Sequence, residues 1–116
     1  MVSKSGVYII SEVGINHNGS VATALKLIES SAEAGVDAVK FQKRDLESIY
    51  AKSILDNPNS AEWNFDYLIP LLKEFELTKQ EYAEVKKRCD ILGLDLIISP
   101  FDEKSAQFAY ELGISA

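Results

Sequence analysis

The chain has 116 residues, 47% of them hydrophobic and 26% charged, which is enough for one domain with a real core. Its net charge of -6 and pI near 4.7 argue against nucleic acid as a main partner, because binding a phosphate backbone needs a positive surface. No apolar run approaches the roughly 20 residues of a bilayer span. The N-terminal MVSKSG carries no apolar signal core, so a cytoplasmic location with no membrane partner is expected.

Elements alternate along the chain. Val7 to Glu12 reads as a first strand, and the run Val7, Tyr8, Ile9, Ile10 is of the kind found in a parallel sheet covered on both faces. A polar loop follows, with Gly14, Asn16, His17, Asn18 and Gly19 in six positions. Asn18-Gly19 alone could be a simple turn and Ser20 a helix cap. Glu12, Asn16 and His17 arriving together ask for more, although a neutral loop histidine can equally bond to backbone. A helix is expected from Val21 to Ala34, with Val21, Ala24, Leu25, Ile28 and Ala32 as its apolar face and Gly35 as its stop. Residues 36 to 42, VDAVKFQ, read as a second strand.

The segment from Lys43 to Leu77 interrupts the rhythm. It holds a turn cluster, Asp56 to Ser60, and then Trp63, Phe65 and Tyr67. The aromatics argue for a packed segment, and long loops in small domains are commonly functional. A short helix around Phe65 to Phe75 is expected, limited by Pro70. Thr78 with Glu81 has capping-box spacing. The helix that follows buries Tyr82, Val85, Cys89 and Leu92 and closes at Gly93. Cys89, the one cysteine, cannot form an internal disulfide and reads as a small buried hydrophobe. A third strand spans 94 to 99, Asp102 caps a helix ending near Gly113, and Ile114, Ser115 and Ala116 look like the start of a fourth strand. Three helix-ending glycines, each followed by an apolar residue, a polar residue and a strand, mark repeated βα units of a parallel α/β sheet.

Such sheets place ligands at the carboxyl ends of their strands. There the first strand brings Glu12, Asn16, His17 and Asn18, the second Lys40 and Gln42, and the third Ser99, Phe101 and Asp102. Strand alternation puts Lys40 and Gln42 on one side, Val39 and Phe41 on the other. A lysine in that position must find an anion, reach solvent or pair with Glu12. The glutamine beside it favours an anion ligand in a polar cavity. With Lys43 and Arg44, Lys40 forms the basic cluster of the first half of the chain. These groups make a cradle for phosphate or carboxylate with a carboxylate nearby. Walker loop, G-x-G-x-x-G, H-E-x-x-H, C-x-x-C and G-x-S-x-G patterns are absent.

Four ordered stretches, SEVGINHNG, AGVDAVKFQ, FELT and SPFDEKSAQFAYELGI, resemble the sialic acid synthase family, which includes N-acetylneuraminate, legionaminate, pseudaminate and spore-coat polysaccharide synthases. The resemblance covers nearly the whole chain. It implies a (β/α)8 TIM barrel of which residues 1–116 form the N-terminal part, about three βα units. It implies condensation of phosphoenolpyruvate with an N-acylated mannosamine-type sugar, with a divalent metal, Mn or Mg, held by histidines further on. It assigns Glu12 to the sugar near its reacting carbonyl, Lys40 to phosphoenolpyruvate and Gln42 to the sugar side. Ser99 stands where the family usually has threonine, keeping the hydroxyl, and Phe101 matches a pocket aromatic. Asn16 and His17 match the motif as ligand contacts or loop-shaping residues. Lys43 departs from the threonine common after K-F-Q. The 116 residues alone are expected to be inactive and, with an open sheet edge, to self-associate as a homo-oligomer. The alternatives are another phosphate-binding aldol-type barrel and a non-catalytic binding or assembly module of the same units.

Overall fold

A computed structural model describes residues 6–60 and 65–114, and in them three parallel strands alternate with helices. The order is β1 (Ile10–Gly14), α1 (Val21–Glu33), β2 (Ala38–Lys43), α2 (Leu46–Ile49), α3 (Lys52–Asp56), a 3-10 turn at Pro58–Ser60, α4 (Phe65–Phe75), α5 (Lys79–Leu92), β3 (Asp95–Pro100) and α6 (Glu103–Glu111). The sheet order is β1-β2-β3, so β2 is central. Register pairs Glu12 with Lys40, Lys40 with Ile97, and Gln42 with Ser99. These are strands and helices of one partial βα barrel.

Local chemistry explains the helix ends. The Ser20 hydroxyl accepts the Thr23 N–H at 3.2 Å to start α1. Thr78 and Glu81 close a reciprocal capping box on α5, and Gly93 ends that helix at φ 67°, a left-handed conformation that costs glycine least. Asp102 starts α6 by accepting the Ser105 N–H at 2.8 Å.

One face of the sheet is packed against helices. Val13, Val39, Phe41, Leu96 and Ile98 point into a cluster with Ala24 and Ile28 of α1, Tyr82, Val85 and Cys89 of α5, and Ala109 of α6. Burial pushes the Cys89 thiol up to about 12, which makes it inert as a nucleophile. Ser31, absent from the expected stripe of α1, is also buried. Its hydroxyl donates to the Leu27 carbonyl, and it shares a 2.8 Å hydrogen bond with Ser11 of β1.

Several boundaries differ from expectation. The first strand begins at Ile10, not Val7, because the ladder starts where Ile10 meets Ala38. Before it, the Asp37 carboxylate takes the Ile9 N–H at 2.8 Å. Val7, Ile9 and Ile10 are exposed, not covered on both faces, and Val7 and Ile9 precede the ladder. Pro70 does not limit its helix: α4 runs on to Phe75. In the segment after β2, Ile69, Leu72 and Leu77 are buried, whereas Tyr67 is exposed. The second and third strands sit one to two residues later than read, at 38–43 and 95–100. Trp63, Ser115 and Ala116 lie outside the described residues.

Candidate active site

The opposite face of the sheet carries polar side chains at its carboxyl end. At Glu12 the β1–β2 register slips, so that Gly14, not Val13, meets Phe41. This bulge turns Val13 into the core, where it is buried, and leaves Gly14 at the mouth with φ 58°. A methyl group on Gly14 would stand 3.5 Å from Glu12 Oε1, 3.6 Å from Gln42 Nε2 and 3.9 Å from Asn16 Nδ2. Three polar side chains from two strand ends therefore converge on one point, and the glycine leaves that point open.

Lys40 joins them. Its Nζ lies 2.5 Å from Glu12 Oε2, and both side chains are half-exposed, at 34% and 46%. An ion pair this open contributes about 0–1 kcal/mol, so it costs little to reorganise when an anion arrives. Arg44 extends the row outward. Its guanidinium donates to Gln42 Oε1 at 2.9 Å and lies 3.7 Å over the Phe101 ring. Ser99 shares the face through its register with Gln42, and Phe101 is exposed at the end of β3. The Asn16 amide is turned back to the Val13 carbonyl at 2.9 Å, which shapes the loop.

The helices hold this row from behind. Buried Tyr82 of α5 donates its hydroxyl to the Gln42 carbonyl at 2.9 Å, fixing the end of β2; burial raises that phenol so it stays protonated. Its apolar spacing marked Tyr82 as core, and nothing in the spacing marked its hydroxyl as a support for Gln42. Asp102 Oδ2 accepts the Asp45 N–H and the Ser105 hydroxyl, each at 2.8 Å. Burial alone would raise the Asp102 carboxyl, but these bonds and the Ser105 N–H hold it below its ordinary value. Asp102 thus ties the β2–α2 loop to α6.

Two sequence candidates lie elsewhere. His17 is 1% exposed and stacks on Phe41, on the helix side of the sheet. Its Nδ1 accepts the Gly19 N–H at 3.1 Å, so the neutral ring carries its proton on Nε2. Burial, only partly offset by Glu81, lowers its pKa and keeps it neutral. Lys43 also faces the helices, 2.6 Å from Glu76 and above the Tyr82 and Phe108 rings.

Residues 27–116 match the NeuB family model, and the chain belongs to that family of sialic acid synthase-like proteins. It is 37% identical over 93% of its length to an N-acetylneuraminate-9-phosphate synthase of Drosophila melanogaster. It is 32% identical over 92% to an N,N'-diacetyllegionaminic acid synthase of Legionella pneumophila, and 39% identical over 91% to a spore coat polysaccharide biosynthesis protein of Bacillus subtilis. It spans only 29%, 31% and 31% of those proteins. Its fold matches the crystal structure of an N-acetylneuraminic acid synthetase from Leptospira borgpetersenii with a TM-score of 0.75 and 29% identity, covering 93% of this chain and 34% of that one. No helix among the described residues is long and apolar enough to cross a membrane.

Proposed function

We propose that this chain supplies part of the active site of a nonulosonic acid synthase, which joins phosphoenolpyruvate to an N-acylated mannosamine-type sugar and releases phosphate. The observation that carries this reading is the convergence of Glu12, Gln42 and Asn16 on Gly14, with Lys40 on Glu12. That arrangement suits a pair of ligands, one anionic and one rich in hydroxyls. Lys40 would take the anion, leaving Glu12 for the sugar carbonyl end, and Gln42 would present its amide to sugar oxygens. The Ser99 hydroxyl and the exposed Phe101 ring would complete the wall on the β3 side.

The divalent metal that the resemblance implies does not find its donors here. Among the described residues no group of three or more His, Cys, Asp or Glu side chains stands together. His17 has one ring nitrogen engaged by Gly19 and the other buried beside Phe41.

The test is made on the protein in its complete natural length, with residues 1–116 alone as comparison. Phosphate release from phosphoenolpyruvate should depend on the amino-sugar in the first and be absent in the second, whose polar face stands open. Lys40→Ala should weaken phosphoenolpyruvate binding by about 1.5–3 kcal/mol, the range for a charge-assisted hydrogen bond. Glu12→Gln keeps the shape and should leave that binding unchanged while depressing turnover with the sugar. The opposite pattern would reverse the two roles, and no sugar-dependent phosphate release from the complete protein would end the reading.

A further inference from the structure

We infer that Arg44 is an anion-binding residue of this site, receiving a phosphomonoester carried by one of its ligands. The inference rests on the proposed condensation and deepens it. Three cations gather at the end of β2, and their charges are used differently. Lys40 is paired with Glu12 at 2.5 Å, and Lys43 with Glu76 at 2.6 Å. The Arg44 guanidinium is in no ion pair among the described residues. The carboxylate electrostatically close to it, Glu76, is occupied by the Lys43 ammonium and the Arg44 backbone N–H.

Its placement points the same way. Arg44 is two residues beyond Gln42 and four beyond Lys40, and its bond to Gln42 Oε1 keeps it on their side of the sheet. The Phe101 ring, just past the end of β3, lies beneath it, its centroid 3.7 Å from Arg44 Cζ. Stacking and one hydrogen bond hold the planar group while the rest of its five N–H donors stay available. A guanidinium so presented offers a two-pronged fork that fits phosphate oxygens. Lys43, one residue earlier, has the same charge, but it is turned to the helices and spent on Glu76. The phosphate could come from phosphoenolpyruvate or from a phosphorylated amino-sugar, with Lys40 on the inner side of Gln42 and Arg44 on the outer side.

The experiment uses the complete natural protein with Arg44→Gln and Arg44→Lys. Binding of inorganic phosphate, phosphoenolpyruvate, N-acetylmannosamine and its phosphate ester is measured by calorimetry, and KM and kcat separately. Arg44→Gln should weaken one phosphorylated ligand by about 10- to 100-fold, the loss of a charge-assisted pair. Unphosphorylated sugar should bind as before. Arg44→Lys should lose less, since it keeps charge without the fork, and thermal melting of both variants should match the parent. A loss confined to phosphoenolpyruvate assigns Arg44 to the donor, and a loss confined to the sugar phosphate assigns it to the acceptor. The inference is overturned if Arg44→Gln binds every phosphorylated probe within about twofold of the parent. It is overturned equally if plain and phosphorylated sugar are lost together. Should the parent show no condensation yet bind phosphate through Arg44, the proposed function fails and this assignment stands.

Discussion

Lys40 and Phe41 are neighbours in β2 and lie in opposite environments. Phe41 is fully buried against His17 and Tyr82, on the face covered by α1, α5 and α6. Lys40 is half-exposed against Glu12, on the face where Gln42, Arg44 and Ser99 also lie. The first face follows from apolar area and helical spacing, and its residues stabilise. Among the described residues the second carries no apolar cluster of its own, and its charged groups converge instead of dispersing. The difference teaches where to expect energy and where to expect chemistry in a βα sheet. Loss of stability should follow the covered face and loss of ligand should follow the open one.

The most severe test of that division is Phe41→Ala. Emptying a fully buried ring should cost about 3–5 kcal/mol in urea unfolding, a large share of a small domain's stability. A cost below about 1 kcal/mol would mean the helices do not form a tight layer there.

Next comes Gly19→Ala, which tests whether the segment after β2 is joined to the site loop. Gly19 has φ 74°, and a Cβ there would collide with the Glu74 carbonyl oxygen at the end of α4. Backbone must move to admit it. The conformational cost alone is about 1–2 kcal/mol, so a loss of about 2 kcal/mol or more is expected from thermal or urea melts. A neutral result would show that α4 does not rest on this loop.

His17 gives a pH signature of the covered face. Burial lowers its pKa from the ordinary 6.5, so the folded chain holds it neutral where the unfolded chain protonates it. Above about pH 6.5 both states are neutral and stability is flat in this group. Below that, stability falls by up to about 1.4 kcal/mol per pH unit, levelling off once the folded state also takes the proton. Glu76, raised by burial despite Lys43, slopes the other way, its contribution being lost as pH rises above its ordinary value. The difference between parent and His17→Gln curves isolates the histidine: that difference should slope below pH 6.5 and be flat above it, whatever its level. Parallel curves would place the imidazole in contact with water.

Much of this was legible in the sequence. The caps at Ser20, Thr78 and Asp102 act through a side chain and a backbone N–H a few residues away, so spacing alone reveals them. The alternation of Val39, Lys40, Phe41 and Gln42 gave both faces of β2. What failed depends on distant partners. Val7 and Ile9 have the apolarity of a strand, yet the ladder begins only where Ala38 offers hydrogen bonds. Pro70 breaks no helix because one missing N–H is tolerated when Ile69 and Leu72 on either side are buried. In the site, Glu12, Lys40 and Gln42 were readable as a set from parity and strand ends. The burial of His17 and the stacking of Arg44 on Phe101 were not, because both are settled by residues tens of positions away.

The smallest expected change in stability is also the most discriminating. Lys40→Ala removes a charge from a strand that is central in the sheet, where a core residue would be costly to lose. Its partner Glu12 keeps nearly half its side chain in water, so the carboxylate left behind is solvated and not stranded. Exposed pairs of this kind contribute about 0–1 kcal/mol. The urea midpoint should therefore move by no more than that, beside a drop of several kcal/mol at the adjacent Phe41. Salt should shrink the Lys40 effect further, as screening weakens what remains of the pair. If Lys40→Ala instead lost about 2 kcal/mol or more, well above that range, the ion pair would be a structural clasp. The polar row of the open face would then be explained by folding, and its claim to be a ligand site would lose its main support.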